Sequence, residues 1–204
     1  MSVLVINLVI SSFLLFSSCT NSQVNIKPEV IKSEYKPTFN SQDSIISIAK
    51  KIHSKWGSDK LHRKVVIIDF SKPMESARLF IVDIDSSKII KSTKVCHGIG
   101  SGASSIPTSF SNEFNSRKSS KGIMRTAETY YGGFGYSLRV DGLQNNNSNV
   151  RRRTIIFHCS EKQRTPWSWG CFSMPKEVYK EIINIIKGGC LVFSFSDTSD
   201  FTKI

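Results

Sequence analysis

The 204-residue chain is short of acid: 16 Asp and Glu stand against 28 Lys and Arg, a net charge of +12. Such a surplus suits an anionic partner (nucleic acid, lipid headgroups or an acidic cell-wall polymer) or simply a soluble basic surface. No recognition motif gathers the basic residues, which argues against nucleic acid. No internal repeat is present. No CxxC or HxxxH spacing is present either, which disfavours a zinc site. The glycines of GIGSG, residues 98–102, do not complete GxGxxG and no helical pattern follows them, so nucleotide binding is rejected. Glu128 and Asp141 have no carboxylate partner at a defensible spacing.

The N-terminus lacks charge altogether. MSVLVINLVISSFLLFSS is mostly apolar and leads to Cys19. It is short for a membrane span of about 20 apolar residues, so a secretory signal is the better reading. It lacks the Lys or Arg that usually opens such signals. The expected organisation is a signal over 1–19, a solvated tether over 20–40 and one domain over 41–204; the length suits one domain and hardly two. LFSSC resembles a bacterial lipoprotein processing site. On that reading Cys19 is lipidated, and the domain is anchored on the periplasmic side of a bacterial envelope. Cys96, Cys159, Cys171 and Cys190 then sit where thiols tend to pair, although spacing assigns no disulfide.

SQDSIISIAKKIHSKWG carries an apolar helical stripe, with N-cap candidates among residues 41–44 and a stop at Gly57. RKVVIIDF, ARLFIVDID, KIIKSTKVCHG, GFGYSLRVDG, RTIIFHCS and CLVFSFSD read as strands. PKEVYKEIINIIKGG reads as a helix starting near Pro175 and stopped by Gly188-Gly189. The expected fold is mainly β, with a short N-terminal helix and one helix after Cys171.

The chemistry concentrates in FHCSEKQRTPWSWGCFSMP. His158 ends an apolar strand pattern, and Cys171 follows 13 positions later. With the helix expected from Pro175, Cys171 lies near a helix N-terminus, and such a position lowers a thiol pKa. His158 can take the thiol proton near neutral pH. The N–H groups of Gly170 and Cys171 are candidates for an oxyanion hole. Two rivals stay open on the residues alone. One is a pair of buried residues near a turn. The other is zinc on Cys96-His97, His158-Cys159 and Cys171, although strand neighbours face opposite sides. His97 lines a cleft or serves a loop. Tyr130, Tyr131, Phe134 and Tyr136 form a substrate platform or simply pack. Arg139 binds a carboxylate or faces solvent. Arg151, Arg152 and Arg153 are a basic cluster that attracts anionic groups or a surface loop.

From about Leu79 to Phe195 the sequence resembles the L,D-transpeptidase catalytic domain, of the YkuD-like kind. The branch it is most similar to is the murein L,D-transpeptidase catalytic domain-like one. Three ordered blocks carry the resemblance: HGIGSGASSIPTSFSN, SSKGIMRTAETYYGGFGYSLRVDGL, and IIFHCS with SWGCFSMP. It implies a β-sandwich-like domain working on peptidoglycan stem peptides, with no metal or organic cofactor. Cys171 would be the nucleophile and His158 the base. His97, Tyr136, Arg139, Ser168, Trp169 and Ser173 would be candidate substrate contacts. Two positions depart from the broad family pattern. Trp169 stands where a histidine is common, and Ser173 where an Arg or Asn is common.

Overall fold

The computed structural model describes residues 42–57, 62–163 and 165–204. The proposed signal, Cys19 and the tether lie outside the described residues. Helix α1 spans Gln42–Trp56 and buries Ile45, Ile48, Ala49 and Ile52, as its apolar stripe requires. Strands follow at Lys64–Asp69 (β1), Leu79–Asp83 (β2), Lys88–Thr93 (β3), Gly122–Gly132 (β4), Gly135–Gly142 (β5), Ile156–Cys159 (β6) and Phe172–Met174 (β7). Helix α2, Tyr179–Ile186, and strand β8, Leu191–Phe195, complete the order. The mainly β expectation with two helices holds. Two strands escape the sequence reading: β4, whose Arg, Thr, Ala and Glu dilute its alternation, and β7, which is only three residues long.

The eight strands make one sheet in the order β3-β2-β1-β8-β4-β5-β6-β7. Pairs β1–β8 and β6–β7 are parallel and the others antiparallel. The sheet curls until its ends meet. The segment after edge strand β3 runs beside edge strand β7, where the Cys96 N–H donates to the Ser173 carbonyl (3.0 Å) and the Ser168 N–H to the His97 carbonyl (2.9 Å). That is why KIIKSTKVCHG is strand only as far as Thr93: its second half leaves β2 and turns toward the other edge.

Curling makes the fold sandwich-like. One face of the sheet closes around a shared core with α2: Val66, Ile68, Leu79 and Ile81 lie in the same cluster as Leu138, Phe157, Phe172 and Ile182. Phe172 bridges the two sides, stacked on Phe157 (4.8 Å between centroids) and on Phe70 (6.5 Å). The opposite face of β1, β4 and β8 is covered by α1, which packs with Val65, Ile67, Ile123 and Phe193.

Candidate active site

Strand register decides what shares a face. Leu138 pairs with Phe157 and Phe157 with Phe172, all three in the α2-side core. Alternation therefore turns the flanking residues to the other side. His158 pairs there with Ser173, and Arg139 with Ile156, while Cys171 precedes Phe172 by one position. Cys171, one residue before β7, is thus turned to the same face as His158 of β6. One strand spacing and two residues of rise put their Cα atoms about 8 Å apart. Arg139 lies on the same face two strands from Cys171, about 10 Å away.

His158 is buried, with Nδ1 2.7 Å from the Cys159 carbonyl. A carbonyl only accepts, so Nδ1 carries the proton and Nε2 keeps its lone pair. The Phe134 ring, from the β4–β5 turn, lies over the imidazole at 4.2 Å between centroids. Burial lowers the His158 pKa below its ordinary value of 6.5, and the hydrogen bond to Cys159 opposes the shift. The ring is a neutral base at pH 7.

Cys171 corrects one expectation. Strand β7 and a turn at residues 175–178 separate it from α2, whose first residue is Tyr179, so no helix N-terminus stabilises the thiolate. Burial pushes the thiol up to about 11; the Ile156 N–H pulls it down, Cys96 adds to the rise, and Arg153 pulls it down. The Cys171 Sγ lies 3.5 Å from the Thr154 carbonyl. The resting pair is thiol and neutral imidazole, not an ion pair. Proton transfer then has to accompany attack.

Gly170 is required for space. Its φ is +113°, and a Cβ there would stand 2.7 Å from the Lys118 carbonyl and 2.8 Å from Ile155 Cδ1. Its N–H donates to Ser168 Oγ (3.0 Å), so of the expected oxyanion pair only the Cys171 N–H remains a candidate donor. Ser168 Oγ in turn donates to the Cys171 carbonyl (2.8 Å). Buried Ser168 therefore ties together the loop that carries Cys171 and is not exposed for a substrate contact.

The other expected contacts separate. Trp169 is 68% exposed, with the Arg117 guanidinium 4.4 Å from its ring, and Arg139 is half-exposed and paired with Glu128 (3.2 Å). Both are available to a substrate. Ser173 is buried but faces a cleft of about 360 Å³, which Glu75, Lys94, Cys96, Ser160 and Gln163 also line. Tyr136 is not brought to the site. Two positions before Leu138, it lies on the α2 face and its hydroxyl donates to Asn184 Oδ1 (3.0 Å). His97 is a structural histidine, buried with both ring nitrogens used. Arg78 Nη2 donates to Nδ1 (2.9 Å), and Nε2 donates to the Gly102 carbonyl (3.0 Å). Of the four aromatics proposed as a platform, only Phe134 touches the candidate dyad; Tyr130 carries the Arg139 guanidinium and Tyr131 packs on Tyr136.

The three arginines are not one cluster. Arg151 binds Glu128 and Asp141, the two acids that lacked partners in sequence. Arg152 covers Phe114, and Arg153 turns inward toward Ser111, Ser116, Lys118 and Ser120. Such separation leaves no periodic trace in sequence. Cys96, Cys159, Cys171 and Cys190 are free thiols, and among the described residues no three His, Cys, Asp or Glu gather as metal ligands.

Family models match residues 38–195 as an L,D-transpeptidase catalytic domain. The chain belongs to that family. Similar solved structures include Bd1075 of Bdellovibrio bacteriovorus, 15% identical over 70% of this chain and 52% of that one, at a TM-score of 0.44. The Ldtfm–avibactam carbamoyl enzyme is 14% identical over 67% and 50%, at 0.41. An L,D-transpeptidase of Stackebrandtia nassauensis is 15% identical over 78% and 68%, at 0.41. This chain spans about half the length of the first two. No curated protein matches it.

Proposed function

We propose that this protein is a peptidoglycan L,D-transpeptidase with Cys171 as nucleophile and His158 as base. The observation that carries the reading is a buried histidine, its Nδ1–H held by the Cys159 carbonyl, with a cysteine one residue before the neighbouring strand and turned to the same face. Family membership supplies the substrate class, peptidoglycan stem peptides.

In the first half-reaction His158 Nε2 takes the thiol proton as Sγ bonds to the carbonyl carbon of the third stem residue. The tetrahedral oxyanion meets the Cys171 N–H. As it collapses, the bond to the terminal D-alanine breaks and His158 returns the proton to the departing amine, leaving a thioester. In the second, an amine of another stem attacks the thioester carbonyl and gives its proton to His158. The Cys171 thiolate leaves and is reprotonated. Because thiol and imidazole both start neutral, each attack needs His158 to accept a proton as the bond forms. Arg139, about two strands from the sulfur, is the candidate to leave Glu128 and meet the carboxylate of the leaving residue. Trp169 offers a flat apolar surface beside the nucleophile.

The N-terminal sequence supports export with a lipid at Cys19, which would hold the domain against the periplasmic face of a membrane. The basic surface then faces an acidic wall polymer.

The test is product analysis. The full chain, kept in detergent, is incubated with disaccharide-tetrapeptide and read by mass spectrometry beside Cys171→Ala. A dimer lacking one D-alanine, absent with the variant, is the expected result. Tripeptide monomer alone would make the enzyme an L,D-carboxypeptidase, with water as acceptor. Unchanged substrate would reduce it to a wall-binding relative.

A further inference from the structure

Among the described residues Arg153 has no acidic partner, although it lies beside the candidate nucleophile. Its Nη1 donates to the Ser111 carbonyl (2.6 Å) and Ser120 Oγ (2.8 Å), and its Nη2 to Ser116 Oγ (3.2 Å) and the Lys118 carbonyl (2.5 Å). All four acceptors are neutral. They orient the guanidinium and leave its charge uncancelled, whereas neighbouring Arg151 spends its charge on Glu128 and Asp141.

Two contacts bring that charge to Cys171. The Arg153 Nη2 stands 3.4 Å from where a Cβ on Gly170 would be, so it abuts the residue before the nucleophile. Thr154, next in chain, holds φ of +54°, a conformation costly for a β-branched residue, and presents its carbonyl to the Cys171 thiol. The strained turn therefore fixes both the guanidinium and the thiol's resting partner. Electrostatics agree in both directions. Arg153 favours the thiolate of Cys171, and that thiolate, once formed, favours the Arg153 cation against its burial.

We infer that Arg153 is a positioning residue for the nucleophile: its guanidinium, fixed by neutral acceptors, is the cation that stabilises the Cys171 sulfur once the proton has left. No helix N-terminus is there to do so. The inference rests on Cys171 acting as nucleophile and adds a source of charge that the dyad alone lacks.

The test uses thiol chemistry, so it reads Arg153 whether or not the protein forms cross-links. Iodoacetamide alkylation of Cys171 in the full chain is followed by peptide mass spectrometry from pH 7 to 10, where the rate tracks the thiolate fraction. Arg153→Gln is expected to slow the rate about tenfold at each pH, the effect of one pKa unit lost from a nearby opposite charge. Arg153→Lys keeps the charge and is expected to stay within about threefold of the natural protein. Ser116→Asp leaves the arginine in place and neutralises it, so it reads the charge even if Arg153→Gln fails to fold; about threefold or greater slowing is expected. A folded Arg153→Gln or Ser116→Asp protein that alkylates at the natural rate overturns the inference. So does Arg153→Lys as slow as Arg153→Gln, since the brace and not the charge would then matter.

Discussion

The chain contains two adjacent Cys–His pairs, Cys96-His97 after β3 and His158-Cys159 at the end of β6, and the fold uses them in opposite ways. Both imidazoles are buried, and burial lowers both pKa values, so both are neutral at pH 7. The difference lies in the ring nitrogens. His97 accepts from Arg78 at Nδ1 and donates to Gly102 at Nε2, so nothing is left for a reaction. His158 donates from Nδ1 to its neighbour's carbonyl and keeps Nε2. A buried histidine acts as a base only if the fold leaves it one lone pair facing a proton. The two rings are also opposite tautomers, Nε2–H at His97 and Nδ1–H at His158.

The sharpest way to break this distinction is to remove each ring in turn. His158→Gln should reduce kcat/KM for stem-peptide turnover by about 10²–10⁴, the usual range for losing a positioned acid–base group, with little change in urea midpoint. His97→Gln should do the reverse. It leaves the buried Arg78 short of an acceptor and should cost about 1–3 kcal/mol of stability in urea unfolding, with turnover per folded molecule largely kept. Equal losses of turnover from the two variants would erase the contrast.

The next effect is in pH. Since the His158 pKa is depressed, the acid limb of kcat/KM should fall below 6.5. Phe134→Ala admits water to the ring, so burial no longer disfavours the cation, and the limb should move up toward 6.5 with a several-fold loss of rate at pH 6. An unmoved limb would mean Phe134 does not shield the base.

A smaller effect is expected in stability. A histidine whose folded pKa lies below its ordinary 6.5 contributes stability that is complete above 6.5 and lost as pH falls through the folded value. The natural protein should therefore lose thermal stability as pH drops from 7 to 5. His97→Gln should start lower and lose less over that range, as seen by calorimetry. The smallest change should come from Trp169→Ala, whose ring is exposed and carries only the Arg117 guanidinium among the described ring contacts: KM should rise a few-fold with stability nearly unmoved.

Much of the fold was legible because its elements obey simple periods. The α1 stripe and the Val- and Ile-rich strands read directly. Strand β4 did not, because polar residues occupy its solvent side and a register shift between Thr126 and Thr129 breaks its alternation. At the site, Cys171 and His158 were legible as residue types near turns. Their environment was not. The helix expected beside Cys171 begins at Tyr179, since the chain first makes β7, and burial raises the thiol pKa where a helix N-terminus was expected to lower it. The fates of His97, Ser168 and Tyr136 depend on partners between 5 and 71 positions away (Gly102 for His97, His97 for Ser168, Asn184 for Tyr136), which no local pattern reveals. The three arginines illustrate the same limit, since one turn sends consecutive side chains to an ion pair, a ring and the loop before Cys171.

The most direct test is intact-protein mass spectrometry after brief incubation with disaccharide-tetrapeptide. An acyl adduct, substrate less one D-alanine, is expected on Cys171 in the natural protein and in His97→Gln. None is expected in Cys171→Ala, and formation at least about a hundredfold slower is expected in His158→Gln. An adduct on Cys96, or one formed at the natural rate without His158, would contradict the dyad.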